Sequence, residues 1–129
     1  MSHRHKRVTD EATLDAVSPL PEVFALISDK WSVQILRNLR LRPHRFTELE
    51  RAVPGVSRRM LTLTLRNLER NGLVSRTVHP EVPPRVVYAS TPLTDDLAQP
   101  LEALADWARA RRPDIVAARH AYDSHVGRR

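Results

Sequence analysis

The sequence has 129 residues, no cysteine and a formal charge of +6, and 19 of its 21 basic residues are arginines. A chain of this length forms one domain, or one domain with helical arms. The absence of cysteine excludes disulfides, thiolate metal sites and thiol-based redox sensing. No apolar run approaches the roughly 20 residues of a transmembrane helix, and the N-terminus lacks the apolar segment of a signal peptide. We therefore expect a cytoplasmic protein.

The positive charge is concentrated in the middle of the chain. Between Arg37 and Arg76 there are ten arginines and three glutamates, a local balance of 10 − 3 = +7. A field of this kind attracts polyanions, and nucleic acid is the commonest polyanionic partner. An arginine-rich surface that serves only solubility is the alternative that charge alone leaves open.

The two ends of the chain differ from its middle. Residues 1–11 are polar and charged without periodic apolar positions, which predicts a disordered basic tail. His3 and His5 in this tail are expected to be solvated rather than metal ligands, so we predict no metal and no other cofactor. We expect the folded domain to span residues 12–112 and residues 113–129 to form a C-terminal extension of mixed pattern.

Two short helices are predicted between residues 20 and 41, because apolar residues recur there at helical spacing. The apolar face of the first helix consists of Leu20, Val23, Phe24 and Ile27. The second helix follows an N-cap at Ser28-Asp29, and we expect it to be deeply packed. Its apolar residues are Trp31, Ile35, Leu36 and Leu39.

A helix-turn-helix is predicted next. A third short helix has capping-box spacing at Thr47 and Glu50, a turn follows at 54–56, and Ser57 is a good N-cap for a fourth helix over about 58–71. The inward stripe of the fourth helix consists of Leu61, Leu65 and Leu68, and a separate arc bears Arg58, Arg59, Thr62 and Arg66. A short helix, a tight turn and a helix with an arginine-rich face are typical of this DNA-binding motif.

A hairpin and a long helix complete the predicted fold. The strand-like runs at 73–78 and 85–89 flank a loop with three prolines, which predicts a wing packed on the helices. The last helix is predicted over about 93–112, with Pro100 expected to kink or loosen it. The predicted fold class is therefore mainly α with a small β-hairpin wing, a winged helix-turn-helix. We expect the last helix to pair with a symmetry mate, and packing on its own subunit is the alternative.

The chain resembles the HxlR-type winged helix-turn-helix regulators of bacteria over about residues 18–108. The matching segments are Asp29-Lys30-Trp31, Ile35-Leu36, 45–49, 54–62, 65–74, 82–88 and Thr91-Pro92-Leu93. The resemblance implies a homodimer built from the N- and C-terminal helices, with one recognition helix per subunit in successive major grooves. For the dimer contacts we predict Leu20, Phe24, Leu97, Leu101, Leu104 and Trp107. The resemblance also implies autoregulation or control of a neighbouring gene.

Two departures from the family pattern affect these expectations. Many members have a cysteine just before the proline of the first helix, where this chain has Ser18. A thiol switch therefore cannot be carried over, and any signal must act by noncovalent binding or through another protein. Leu63-Thr64 stands where many relatives have a polar and a basic residue, so the DNA sequence recognised is expected to differ.

The predicted partner is double-stranded DNA with a pseudo-palindromic operator. We expect the protein to repress transcription rather than to activate it. The residues predicted to face the major groove are Ser57, Arg58, Arg59, Thr62 and Arg66. Phosphate contacts are predicted for Arg37, Arg45, Arg51 and Arg76. Arg85, placed at the base of the wing, is predicted to contact the minor groove or the backbone.

Three other functions are compatible with parts of the sequence. A winged helix that binds proteins would more often carry apolar residues where this one carries arginines. An enzyme is disfavoured because the sequence has no glycine-rich phosphate loop, nucleophile elbow or metal-spaced cluster. A small-molecule effector pocket remains open, with core packing as the simpler role of the aromatic residues that could line it. These residues are Phe24, Trp31, Tyr88 and Trp107.

Overall fold

A computed structural model describes residues 18–127 as five helices and a two-stranded antiparallel sheet. The elements are α1 (Leu20–Ile27), α2 (Ser32–Leu41), α3 (Phe46–Ala52), α4 (Arg58–Arg70), β1 (Val74–His79), β2 (Arg85–Ser90) and α5 (Pro92–Gly127). The chain divides into two compact units between Thr91 and Pro92. The mainly helical fold with a hairpin is therefore confirmed, whereas the tail predicted at 1–11, with His3 and His5, lies outside the described residues.

Asp29 provides the cap that orders the start of α2. Its Oδ1 accepts hydrogen bonds from the backbone N–H of Trp31 at 2.8 Å and of Ser32 at 2.9 Å, and the Ser32 hydroxyl donates to Oδ2. Burial acts to raise the pKa of Asp29, but these hydrogen bonds together hold it below its ordinary value of 3.8. The Asp29 carboxylate thus accepts hydrogen bonds at the predicted junction, but the helix itself begins at Ser32, with Trp31 as its N-cap residue.

The core of the first unit is formed by α2, α3, α4 and the start of the hairpin. Its buried apolar residues are Ile35, Leu36, Leu39, Leu49, Val53, Val56, Leu61, Leu65, Leu68, Leu73 and Val74. Each fully buried side chain of this size contributes roughly 1.5–3 kcal/mol relative to exposure. Trp31, which we expected to be deeply packed, is only half-buried, and α1 has no buried residue at all.

The start of α3 differs from the prediction, which was wrong by two residues. The helix begins at Phe46 with extended Arg45 as its N-cap, and Glu48 accepts a hydrogen bond from the Arg45 N–H at 2.9 Å. The reason lies in the preceding residue, because His44 and Tyr88 exchange backbone hydrogen bonds of 2.9 and 2.8 Å. This bridge to β2 holds the chain extended up to Arg45, so the helix starts there and not at the Thr47 cap.

Two glycines set the turns on either side of α4. Gly55 has a φ of +88° and Gly72 a φ of +77°, both in the left-handed region that side chains disfavour. A Cβ at Gly55 would lie 3.5 Å from Cη2 of Trp31, so this turn also passes close to the indole ring. Gly72 lies in the turn that ends α4, and its N–H donates to the Glu69 carbonyl at 3.0 Å.

The wing is a hairpin whose register places Arg85 differently from the prediction. Val74 pairs with Ser90 at the end next to the helices, and His79 pairs with Arg85 beside the connecting loop 80–84. Arg85 therefore lies near the tip of the wing and not at its base. It is bound there by Glu81, with 3.2 Å between Nη2 and Oε1.

The last helix is longer than the sequence predicts. It was expected to end near residue 112, but α5 continues for 36 residues to Gly127 with Pro100 and Pro113 inside it. Three alanines after Pro113 favour the helix. Two i,i+3 ion pairs also stabilise it: Arg109 pairs with Asp106 before the proline, and Arg111 pairs with Asp114 across it. Within residues 18–127 no helix combines the length and the apolar character needed to cross a membrane.

Candidate nucleic-acid interface

The N-terminus of α4 is fixed by a side-chain cap and a buried turn residue. The Ser57 hydroxyl accepts a hydrogen bond from the backbone N–H of Met60 at 3.0 Å, as its predicted N-cap role requires. Val56 is buried just before it. The turn between α3 and α4 is thus anchored in the core, and the first turn of α4 is held in one orientation.

The outward face of α4 is defined by the residues buried behind it. These inward residues are Leu61, Thr64, Leu65 and Leu68. At about 100° per residue, the direction opposite to their mean lies within about 30° of four exposed side chains. We call these four the outer stripe: Arg59, Leu63, Arg66 and Arg70. Among residues 18–127 none of its three arginines forms an ion pair, so their guanidinium groups are available to an external anion.

Arg58, predicted to face the groove, lies to one side of the outer stripe and contacts α3. Its Nε is 3.9 Å from Oε2 of Glu50, and its guanidinium carbon is 5.3 Å from the ring centroid of Phe46. A carboxylate and an aromatic face both attract the same guanidinium. The structure therefore orients Arg58 along the junction of the two helices.

Thr62 is also displaced from the centre of the outward face. It is half-buried, and its hydroxyl donates a hydrogen bond to the carbonyl oxygen of Arg58 at 2.8 Å. The hydroxyl hydrogen is thus already used within the helix.

A cleft of about 300 Å³ lies between α4 and the hairpin. It is lined by Thr62, Leu65, Arg66, Glu69, Arg76 and Tyr88. Arg66 from α4 and Arg76 from β1 bring two cations to one opening, and Glu69 offsets part of their charge. The i,i+3 pair that Glu69 could make with Arg66 is not formed among the residues that the structure describes.

The remaining predicted contact residues are exposed on several elements of the first unit. Arg37 lies on α2, Arg45 caps α3, Arg51 lies near the end of α3, and Arg76 lies in the middle of β1. The structure brings Arg76 together with Arg66 across the cleft. Arg85 is separated from them along the wing, where Glu81 neutralises it.

Leu63 and Arg70 belong to the outer stripe although neither was predicted as a contact residue. The signal was present in the sequence, because the direction opposite to the predicted leucine stripe points at both of them. The predicted arc includes Arg58 and Thr62 instead, because its residues were chosen by polarity. A helix face is set by the side chains buried behind it, whatever the polarity of the exposed ones.

No metal-binding cluster is found among residues 18–127, and the cleft is lined by only one of the four aromatic residues proposed for an effector pocket. Within 18–127, no group of three or more histidine and carboxylate residues is arranged to hold a metal ion. Of the four aromatic residues considered for an effector pocket, Tyr88 lines the cleft, whereas Phe24, Trp31 and Trp107 do not.

Comparison with known proteins places this geometry in a family. A sequence model described as HxlR-like helix-turn-helix matches residues 26–115. The HTH-type transcriptional regulator YtfH of Escherichia coli (strain K12) is 41% identical over 101 residues, which cover 78% of this chain and 80% of that protein.

Solved structures agree with this comparison. The transcriptional regulator YtfH from Salmonella typhimurium superposes with a TM-score of 0.64 at 40% identity, covering 79% of this chain and 91% of that one. The redox regulator HypR in its reduced form superposes with a TM-score of 0.69 at 32% identity, covering 78% of this chain and 99% of that one. Both YtfH proteins are named as transcriptional regulators, and HypR is named as a redox regulator.

Proposed function

The chain belongs to the HxlR-like helix-turn-helix family of transcriptional regulators, and from this premise we propose that it is a homodimeric repressor of a specific operator. The operator is a pseudo-palindromic site in double-stranded DNA, and α4 of each subunit enters one major groove. Half-sites one helical turn apart, about 34–36 Å, match a dimer of this kind.

The outer stripe of α4 is the observation on which the proposal rests. Arg59, Arg66 and Arg70 lie along one exposed line without ion-pair partners in the described part of the chain. A guanidinium binds O6 and N7 of guanine through two hydrogen bonds, and each such contact discriminates by about 1–3 kcal/mol against a wrong base. Arg59, nearest to the capped N-terminus, is our principal base-contacting residue.

Phosphate binding is proposed for Arg66 of the outer stripe and for the cations around the stripe. Arg66 and Arg76 converge on the cleft between α4 and the wing, and a DNA phosphate has the charge and oxygen geometry for two guanidiniums. Arg37, Arg45 and Arg51 extend the positive surface over α2 and α3. Such contacts set register and supply most of the salt-dependent affinity.

Dimerisation is proposed for the apolar side chains that the chain leaves exposed. On α1, Leu20 and Phe24 are both about half exposed, and on α5 Trp107 has 57% of its surface exposed. Leu97 and Leu101 are half-buried and Leu104 is exposed on the same helix. Large apolar patches on a soluble protein mark contact surfaces, and a two-fold dimer matches a palindromic operator.

The apolar stripe of α5 extends beyond the residues predicted from the sequence. At about 100° per residue, Ile115, Tyr122 and Val126 lie within about 20° of Leu97. Tyr122 has 68% of its surface exposed. We add these three residues to the proposed dimer contacts, because together they continue the stripe along most of a helix about 54 Å long.

Signal reception is proposed to be thiol-independent. HypR is named a redox regulator, whereas this chain has no cysteine and has Ser18 before the proline of α1. Because serine forms no disulfide, a change in DNA binding must come from a noncovalently bound small-molecule effector or from another protein.

The proposed function is tested by titrating the protein against its own upstream intergenic DNA and against a random duplex at several salt concentrations. We expect preference for the native fragment, with log affinity falling steeply against log salt. Arg59→Ala should remove most of that preference. Arg59→Lys is the matched variant, because it keeps the charge but loses the two-pronged contact, and it should retain the salt dependence without the preference. Equal binding of both duplexes by the unmodified protein would contradict specific regulation of that site, and a reporter fused to the fragment tests repression.

A further inference from the structure

Leu63 is an exposed leucine in the middle of a cationic surface. It lies on the outer stripe of α4, one turn after Arg59 and one turn before Arg66, and 46% of its surface is exposed. Single exposed leucines are common on proteins and need no explanation by themselves. This one differs in position, because its neighbours at i−4 and i+3 are the two arginines proposed to hold DNA.

The position of Leu63 decides what covers it when DNA binds. Residues three and four apart on a helix have Cβ atoms about 5–6 Å from each other. If Arg59 binds a base and Arg66 a phosphate of the same groove, the side chain one turn from each of them faces that groove. Removing water from the leucine lowers the free energy only if an apolar group takes the place of the water.

The major groove offers one such apolar group. Each base pair presents hydrogen-bond donors and acceptors there, and only thymine adds a methyl group, at C5. A leucine cannot donate or accept a hydrogen bond, so it gains nothing from guanine, cytosine or adenine edges. The charge of the outer stripe is complementary to DNA, and the apolar side chain of Leu63 is complementary to the thymine methyl group.

Neighbouring side chains are less suited to the same contact. Thr62 is half-buried and its hydroxyl is bonded within the helix. Met60 has 40% of its surface exposed, but it lies about 90° from the centre of the outward face at about 100° per residue. Leu63 is thus the apolar side chain of α4 directed at the groove.

We propose that Leu63 is a specificity-determining residue that contacts the C5 methyl group of a thymine in each operator half-site. This inference rests on the proposed function of α4 as the recognition helix. Each operator half-site must therefore contain a thymine whose C5 methyl group lies against Leu63.

The experiment replaces the thymines of the footprinted operator by deoxyuridine, one symmetric pair at a time. Deoxyuridine keeps the hydrogen-bonding edge of thymidine and lacks only the methyl group. We expect one pair whose replacement weakens binding about fourfold per half-site, as for the loss of one buried methyl group. That loss should disappear in Leu63→Ala and persist in Met60→Ala, the matched apolar truncation on the same helix.

The possible negative results separate the role of Leu63 from the proposed function. Equal losses in the unmodified protein and in Leu63→Ala, or no thymine pair sensitive to methyl removal, overturn the role of Leu63 and leave specific DNA binding intact. Equal affinity of the unmodified protein for operator and random duplex overturns the proposed function and this inference with it. Thermal unfolding of Leu63→Ala should match that of the unmodified protein, since the side chain is exposed.

Discussion

The helices α2 to α4 and the helix α5 differ in how far they bury their apolar side chains. In the first unit, Ile35, Leu49 and Leu61 have no exposed surface. In α5, by contrast, Trp107 and Tyr122 are mostly exposed. The first unit therefore contains a core of its own, whereas α5 leaves large apolar side chains exposed.

The difference has an energetic basis. Isolated helices are marginal in water, and most of their stability in proteins comes from packing of an apolar face. In α4 that packing is present within the unit, through Leu61, Leu65 and Leu68. For α5 we propose that it comes from a second copy of the chain. Substitutions in the core, in α5, at the cap of α2 and in the wing test this contrast.

Leu61→Ala is expected to have the largest effect. Removing a fully buried leucine should lower the free energy of unfolding by about 2–5 kcal/mol, because transfer and cavity costs add. Leu63→Ala on the same helix is the control, and its cost should stay within about 0.5 kcal/mol. Urea unfolding at a fixed protein concentration measures both, and similar costs for the two variants would show that the inward face of α4 is misassigned.

Trp107→Ala should weaken self-association by at least about tenfold while residues 18–91 keep their fold. A large aromatic side chain at the centre of an interface is the usual site of concentrated binding energy. Gln99→Ala, an exposed polar truncation on the same helix, should leave association unchanged. Sedimentation equilibrium measures the dimer constant, and a monomeric unmodified protein at micromolar concentration would contradict the proposed role of α5.

Asp29→Ala should destabilise the first unit by about 1 kcal/mol, the usual cost of losing a side-chain cap. Asp29→Asn separates the hydrogen bonds from the charge. The pKa of Asp29 is lowered in the folded state, so its charge stabilises the fold above the ordinary value of 3.8 and this contribution is lost as pH falls through the folded pKa. The stability difference between the unmodified protein and Asp29→Asn should therefore shrink on acidification below about pH 4. A difference that stays constant between pH 3 and 6 would assign the cap to hydrogen bonding alone.

Glu81→Gln at the tip of the wing should have the smallest effect on stability, within about 0.5 kcal/mol, since exposed ion pairs contribute little. The substitution releases Arg85 for DNA, so the affinity should rise. The slope of log affinity against log salt concentration should become steeper by about 0.9, the value for one added phosphate contact. Arg85→Gln is the matched control with the opposite expected direction. DNA titrations at three salt concentrations compare them, and identical slopes for both variants would place the wing tip away from DNA.

The sequence by itself determined the element order, the fold class and the family. These follow from local physics, in which apolar spacing defines the buried face of α4, a serine caps its start and a glycine with positive φ ends it. The hairpin was predicted to within one residue at each strand for the same reason, because alternation and proline-rich turns act over a few neighbouring positions. The outer stripe also follows from the leucine spacing, although a choice of contact residues by polarity leaves out Leu63 and Arg70.

Tertiary structure alone decided several features that depend on residues distant in the chain. The start of α3 is set by the bridge between His44 and Tyr88, 44 positions apart in the sequence. The orientation of Arg58 follows from Glu50 and Phe46 on another helix. The cleft exists because Arg76 on the hairpin lies opposite Arg66 on α4. Pairings of this kind depend on how whole elements pack, which short-range propensity and periodicity do not encode.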